Sequence, residues 1–583
     1  MFFEKVTSPQ AILKQYWNHD RFRPLQQEII RAVLEGKDVL ALLPTGGGKS
    51  ICFQVPAMAK EGLCLVVSPL IALMKDQVEN LRRRNITAYA VYSGMTRKDV
   101  ESTLKTAARS NCKFLYVSPE RLETGLFKEF LGILKVNLLA VDEAHCISEW
   151  GYDFRPPYLR IAALREELPG IPVLALTATA TREVEADICS NLRLKNPDVF
   201  RQPFFRENLS FSVFRVGSKV DRICGILEKV PGSAIVYCSS RKKTREVSDG
   251  LVRHGIHSQY YHAGLTTEDR NERQKEWKND RIRVMVCTNA FGMGIDKPDV
   301  RIVVHADMPD CPENYYQEAG RAGRDGKKAY AVLLYTGEDI QSLNKLSSVR
   351  FPSVTDMRKI YQDMVNYLQI PAGSGGDSYF GFDLSDFVKK FQLELPSVTN
   401  ALKMMEQEEI LAFRDQVFLP SHVCFTVNRE GLSRLEREMP SMMTLVDLLL
   451  RTYPGIFDQA VPVSEKSIAW LLKKPPAEVS RDLKFLQGQG IIQYSPQKDS
   501  PQLYLMQPRQ KADDLRIDVA HHRRRKKQFE ARLGAMLGYL KEETMCRSQM
   551  LARYFGDEAT GPCGICDNCL RHKKSQHKGN GLL

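Results

Sequence analysis

From about Lys37 to Thr181, short β-rich runs alternate with helical stretches. The runs are Asp38–Leu43, Leu63–Val67, Lys113–Val117, Leu138–Val141 and Val173–Leu176, and they give way to Ser, Thr, Asp or Gly. This alternation predicts a parallel α/β domain with ligand groups at the carboxyl ends of its strands. The same texture restarts at Ser233–Tyr237 and returns at Val284–Cys287, Ile302–Val304 and Ala329–Leu334. The chain therefore reads as two α/β lobes joined near residues 201–220.

Beyond about residue 340 the pattern changes. A Gly-rich stretch, PAGSGGDSYFG (371–381), leads into helical segments, two of which share a register. Val398, Leu402, Lys403, Met405 and Ile410 correspond to Val479, Leu483, Lys484, Leu486 and Ile491, always 81 residues apart. Each segment has a short helix before it and a β-rich pair after it, AFRDQVFLP or IIQYSPQKDSPQLYLM. Each thus predicts helix, turn, second helix and β-hairpin, the order of a winged-helix module. Two helical hairpins that serve only as packing units are the alternative. The textures place domains at 1–205, 206–345, 346–430, 431–510 and 511–583.

At 583 residues the chain exceeds what a single core supports. Its 43% hydrophobic and 26% charged residues are ordinary for a soluble globular protein. No apolar run reaches ~18 residues, and no apolar stretch follows a basic start, which argues against a membrane span or signal peptide. A cytoplasmic location, with no membrane partner, is expected. Most of the 14 cysteines lie singly in apolar segments, as reduced core thiols do. The formal charge of +13 makes a polyanionic partner plausible, although an unspecialised basic surface would give the same total.

Three groups of residues carry candidate chemistry. LLPTGGGKS (42–50) follows the first strand and precedes a helix, the context of a phosphate-binding loop. Thr45, Gly46, Gly47 and Gly48 would let backbone N–H groups approach phosphates at a helix N-terminus. Lys49 would contact the β and γ phosphates and Ser50 would ligate magnesium. The strict pattern places Gly where this chain has Leu43, so a second element matters. That element is Asp142–Glu143 after the apolar run LLAV. In such a pair the first carboxylate holds magnesium, and the second orients or deprotonates the attacking water. Arg321 and Arg324, in YYQEAGRAGRDG (315–326), lie three apart and are expected on one helical face, reaching the γ-phosphate from the second lobe.

The acidic pair opens VDEAHCISEWGYDFRPPY (141–158), whose Trp150, Tyr152, Phe154 and Arg155 are types on which unpaired bases stack. Near the C-terminus, Cys546 and the CxxCxxC set Cys563, Cys566 and Cys569 have the spacing of a structural zinc site. Free thiols or an iron–sulfur cluster are the alternatives. The run HHRRRKK (521–527) could track phosphates, act as a nuclear-import signal, or form a solvated helical face.

Together these residues resemble superfamily 2 helicases, and within them the RecQ family. The matches run in one order: FRPLQQEII (22–30), PTGGGKS (44–50), SPLIALMKDQV (68–78), YVSPERL (116–122), DEAHCISEWGYDFRP (142–156), LTATAT (176–181), YHAGL (261–265), TNAFGMGIDKPDVR (288–301) and QEAGRAGRDG (317–326). The resemblance implies an α/β fold class: two RecA-like parallel-sheet lobes, then mainly helical winged-helix modules and a small zinc-binding module. It implies a DNA-stimulated ATPase, dependent on magnesium, that unwinds DNA in the 3′→5′ direction in repair and recombination. ATP, Mg2+ and Zn2+ would be its cofactors. Single-stranded and duplex DNA would be its partners, with single-strand-binding and recombination proteins as further candidates, and a bacterial protein would be nucleoid-associated.

By the same resemblance Arg23 and Gln26 would read adenine, and the loop His145–Arg155 would couple DNA binding to hydrolysis through its continuity with Glu143. The chain departs from many relatives in carrying Glu149 for Gln and Tyr152 for His. It also places both winged-helix candidates before the zinc module. The strand-separating wing could be RDQVF (414–418), the hairpin around SPQKDSPQ (495–502), or neither. Two other readings are a DNA-stimulated translocase that remodels protein–DNA complexes, and a zinc and winged-helix DNA-binding protein with an inactive motor. RNA is disfavoured mainly by the resemblance, since no single residue excludes it.

Overall fold

The computed structural model describes residues 8–44, 46–151, 153–292, 297–414, 421–427, 429–457, 460–495 and 502–579. The chain divides into two compact units, one made by the chain up to Asn344 together with Lys527 onward, the other by Lys345–Lys526.

In the first unit, seven strands form one parallel sheet: β1 (Val39–Leu42), β2 (Leu63–Val67), β3 (Ala88–Val91), β4 (Phe114–Val117), β5 (Val136–Val141), β6 (Val173–Thr177) and β7 (Asp198–Arg201). Their order is β3-β4-β2-β5-β6-β1-β7, so β6 separates β1 from β5. The inner strands β1, β2, β4 and β6 are buried at every position, as expected of strands with helices on both faces. Buried Asp38 fixes the start of β1. Its carboxylate accepts from Val173 N at 2.9 Å and Lys195 N at 2.7 Å, and pairs with Arg165 at 2.9 Å.

The second lobe is a six-stranded parallel sheet made of β8 (Leu209–Arg215), β9 (Ser233–Tyr237), β10 (Ser258–Tyr261), β11 (Val284–Cys287), β12 (Val300–His305) and β13 (Ala329–Tyr335), in the order β10-β11-β9-β12-β13-β8. Beyond β12, Asp307 accepts from Ser239 N at 2.8 Å and pairs with Lys219 at 2.9 Å and Lys243 at 2.8 Å. The C-terminal cysteine module belongs to this unit and caps β8. Ser210 Oγ donates to Ile565 O at 2.7 Å, and Val213 N donates to Asp567 Oδ2 at 3.0 Å, so polar groups at that edge are satisfied. Phe204 stacks on Phe555 with ring centres 4.5 Å apart.

The second unit corrects the expected pair of hairpins. The repeated helices form, Leu395–Gln407 and Pro476–Gly488, and their shared register is real: Val398, Leu402 and Met405 are buried, as are Val479, Leu483 and Leu486. Six strands follow the chain here: β14 (Ser378–Gly381), β15 (Leu411–Arg414), β16 (Ser421–Phe425), β17 (Val461–Val463), β18 (Ile492–Ser495) and β19 (Gln502–Leu505). However, β15 pairs with β19, which also pairs with β14, while β16 pairs with β17 and β18. The second module is therefore inserted into the hairpin of the first. Burial accounts for the exchange. Val423 and Phe425 join the core of Val446, Leu449 and Leu483, whereas Leu503 and Leu505 are buried in the other sheet beside Leu411.

Residues 511–526 belong to the second unit, together with both modules. The wing candidates at 415–418 and 496–501 lie outside the described residues. HHRRRKK is helical, within Val519–Lys541, with Arg523, Arg524 and Lys527 exposed. Among the described residues, no helix is long and apolar enough to cross a membrane.

Candidate active site

Strand β1 delivers the glycine-rich loop to the amino end of the helix Lys49–Ala59. Gly46 and Gly48 have φ of 85° and 80°, which a residue with a Cβ adopts only under strain. A Cβ on Gly48 would also run into Gln26 Nε2. Gln26 clasps the loop from outside, donating to Gly48 O at 3.0 Å and Gly47 O at 3.3 Å. Its own carbonyl accepts from Arg23 N at 2.9 Å, and the Arg23 guanidinium donates to Gly46 O. Gly47 packs behind the loop, where a Cβ would meet Pro44 O at 2.9 Å. Thr45 lies outside the described residues.

Asp142 follows β5 and is held by its backbone, donating through N to Val67 O at 2.9 Å and accepting at its carbonyl from the buried Tyr158 hydroxyl at 3.0 Å. Glu143 sits at φ 48°, a left-handed conformation that costs about 1 kcal/mol or more for a non-glycine residue. There its Oε1 lies 3.4 Å from Lys49 Nζ and its Oε2 3.4 Å from His145 Nδ1. Burial, and then the charge of Glu143, raise the Asp142 carboxyl to about 6. Burial pushes Glu143 upward too, but Lys49, His145 and Arg321 outweigh it and hold the carboxyl below its ordinary range. Glu143 is thus the more acidic carboxylate of the pair.

Arg321 and Arg324 do not share a helical face. The helix Pro312–Ala319 ends before them, and both lie in the turn that follows, in which Gly323 and Gly326 have φ of 62° and 80°. The turn still brings them to the loop. A Cβ on Gly46 would meet Arg324 Cγ at 3.0 Å, and Arg321, only 4% exposed, lies close enough to Glu143 to lower its carboxyl. Two residues missed in the sequence hold this turn: Arg206 donates to Gly320 O at 3.0 Å and Asn208 to Gly323 O at 2.7 Å. Neither belongs to a recognisable motif, and no sequence signal marks them.

These groups surround a cavity of about 800 Å³. Arg23, Gln26, Gly46, Gly48, Lys49 and Ser50 line one part of it, Asp142 and Glu143 another, and Arg321 and Arg324 face them from the second lobe. Gln317, three residues inside the same arginine-rich segment, also lines it and was overlooked as a site residue. The oxygen donors of Ser50 and Asp142 beside cationic Lys49 suit a magnesium ion shared with phosphates.

Trp150, Phe154 and Arg155 lie outside this cavity. Trp150 is 44% exposed at the tip of a loop closed by Arg155 N donating to Cys146 O at 2.9 Å. Phe154 is half-buried. The Arg155 guanidinium turns inward, donating to Asp153 Oδ2 at 3.0 Å and Pro69 O at 3.0 Å, so it builds the loop's fold. Tyr152 lies outside the described residues.

The four C-terminal cysteines converge, with their sulfurs within 4.8 Å of one another and Cys546 Sγ 3.9 Å from Cys566 Sγ. A tetrahedral zinc with ~2.3 Å bonds sets sulfurs ~3.8 Å apart. Backbone N–H groups of Cys563, Cys566 and Cys569 donate to sulfurs at 3.2, 3.3 and 3.4 Å, which favours thiolates. This compact set fits one ion rather than a cluster of several irons.

The two lobes and their shared cavity are those of the helicase class, and comparison with known proteins agrees. Residues 23–187 match the DEAD/DEAH box helicase model and 218–326 the helicase conserved C-terminal domain. Residues 423–496 match the RecQ helicase winged-helix domain of Bacteroidota, and 504–570 the RecQ zinc-binding model. The chain is 39% identical over 365 residues to a probable ATP-dependent DNA helicase RecS of Bacillus subtilis, covering 61% of this chain and 73% of that one. It is 42% identical to the ATP-dependent DNA helicase RecQ of Pasteurella multocida over 336 residues (58% and 53%), and to that of Bacillus subtilis over 365 residues (61% of each). The chain belongs to the RecQ family. Its match spans between half and two thirds of the length of these two RecQ relatives.

Proposed function

We propose that this chain is an ATP-dependent DNA helicase that unwinds duplex DNA in the 3′→5′ direction, acting in repair and recombination in the cytoplasm or nucleoid. The observation that carries the reading is the convergence of Lys49, the Asp142–Glu143 pair and the two second-lobe arginines on a single cavity. A DNA-binding protein with an inactive motor would have no need of that complete set.

In this reading the N–H groups at the start of the helix Lys49–Ala59 and the Lys49 ammonium hold the β and γ phosphates. Gln26 and Arg23, which clasp the loop, read the adenine edge. Ser50 and Asp142 would hold magnesium, which neutralises phosphate charge. Glu143 orients the attacking water and accepts its proton. A γ-phosphate competes with Glu143 for Lys49, so nucleotide binding frees that carboxylate. Arg321 and Arg324 stabilise the charge that develops on the γ-phosphate and tie hydrolysis to the approach of the lobes. Trp150 offers its face to unpaired bases, on a loop continuous in sequence with Glu143. Cys546, Cys563, Cys566 and Cys569 would hold zinc, which stiffens the module packed along β8. Single-strand-binding and recombination proteins are the protein partners this role calls for.

Steady-state ATP hydrolysis with and without single-stranded DNA tests the reading. Magnesium-dependent turnover that rises several-fold with DNA is expected. Equal turnover in both would contradict a DNA motor.

A further inference from the structure

We infer that the chain has a second site for a thiophilic divalent cation such as zinc, formed by His145, Cys146 and Asp153 at the base of the aromatic loop. The three donor atoms lie within 4.8 Å of one another. Cys146 Sγ is 3.8 Å from His145 Nε2 and 3.8 Å from Asp153 Oδ2. In the absence of an ion the Cys146 thiol is within hydrogen-bond reach of both groups. The separations are near the ~3.5 Å between donors on one tetrahedral zinc with bonds of ~2.3 Å to sulfur and ~2.0 Å to nitrogen or oxygen.

The histidine is oriented for this task. Its Nδ1 lies 2.9 Å from Thr177 Oγ1 at the end of β6, which sets the ring with Nε2 toward the thiol. The Arg155 N to Cys146 O bond of 2.9 Å holds the two ends of the loop side by side. His145 and Cys146 are buried, while the Asp153 side chain is 31% exposed and leaves an approach for the ion. On binding, the thiol gives its proton to solvent. One thiolate and one carboxylate then neutralise the dication, which makes its burial tolerable. Magnesium, which demands an octahedron of oxygens, is a poor competitor. Arg155 is the real one, since its Nε and Nη2 reach the same Asp153 oxygen at 3.2 and 3.0 Å.

An ion here would staple the loop on both sides of Trp150, so zinc would suppress DNA-stimulated turnover. That consequence rests on the proposed DNA-sensing role of the loop, whereas the site does not.

The test is metal content of the full chain after dialysis against zinc and then metal-free buffer. Two zinc ions per chain are expected for the wild type, and one each for Cys146→Ala and Asp153→Asn. A cobalt titration should show a second equivalent with thiolate-to-metal absorption, absent in Cys146→Ala, weakened at least tenfold in Asp153→Asn and tightened in Arg155→Gln. One zinc per wild-type chain, or two in both variants, overturns the site. Asp153→Asn, a partly exposed change, carries the test should Cys146→Ala fold poorly. Two zinc ions with DNA stimulation unchanged would uphold the site and count against the sensing loop.

Discussion

Arg532 donates from Nη1 to the backbone carbonyl of Trp150 at 3.2 Å. Arg532 lies on the helix Val519–Lys541 that leads into the cysteine module, and Trp150 lies eight residues beyond the start of the DEAH segment. The exposed ring is therefore held by its backbone as well as by its own loop. Replacing Trp150 with Ala should leave basal ATP turnover intact and abolish its stimulation by DNA. Arg532→Ala should keep the ring but loosen it, at ~0.5–1.5 kcal/mol for the lost hydrogen bond, reducing stimulation roughly two- to tenfold. Turnover measured against DNA concentration distinguishes the two. Wild-type stimulation in Trp150→Ala would defeat the sensing role.

Lys49 and Glu143 face each other across 3.4 Å but should fail differently when replaced. Lys49→Ala should lose nucleotide binding and turnover together. Glu143→Gln should still bind a fluorescent ATP analogue while turnover falls ~100-fold or more. Comparable turnover in Glu143→Gln and wild type would remove the water-activating assignment.

The cysteine module should depend on its metal. Cys566→Ser should lose the zinc of that site and, because Asp567 and Ile565 bond to β8, lower the thermal midpoint of the full chain. Full zinc content in this variant would show that Cys566 is not a ligand.

Acid should weaken the second lobe through Asp307. Burial opposes its charge, but hydrogen bonds from Lys243, Ser239 N and Lys219 hold its carboxyl well below the ordinary 3.8. A carboxyl depressed in the folded state contributes stability that is fully present above its unfolded value and is lost as pH falls below it. Urea midpoints should therefore decline below about pH 4, and Asp307→Asn should lower the midpoint at neutral pH and flatten that decline. An unchanged acid profile in Asp307→Asn would assign the acid sensitivity elsewhere.

The strands that the residue pattern revealed and those it missed differ by position in the sheet. The strands overlooked, Ala88–Val91, Asp198–Arg201, Leu209–Arg215 and Ser258–Tyr261, are the two edges of each large sheet. An edge strand is covered less completely and carries polar or exposed positions, as in Asp198–Arg201, where no position is fully buried, so its apolar run is broken. The hairpins depart from the expected pairing for another reason. Local pairing of β15 with β16 is the default by proximity, and only the burial of Val423 and Leu503 in different cores reveals the inserted module. The nucleotide site was legible because its loop, acidic pair and arginines have fixed spacings. Arg206 and Asn208 were not, since their role is to satisfy backbone carbonyls more than a hundred residues away.

The most direct measurement of the central claim is ATP-dependent strand separation on two matched duplexes, one with a 3′ single-stranded tail and one with a 5′ tail. Unwinding of the 3′-tailed duplex alone, lost in Lys49→Ala, is expected. Opening of neither duplex, with ATP turnover still stimulated by DNA, would contradict a helicase and leave a motor that remodels protein–DNA complexes.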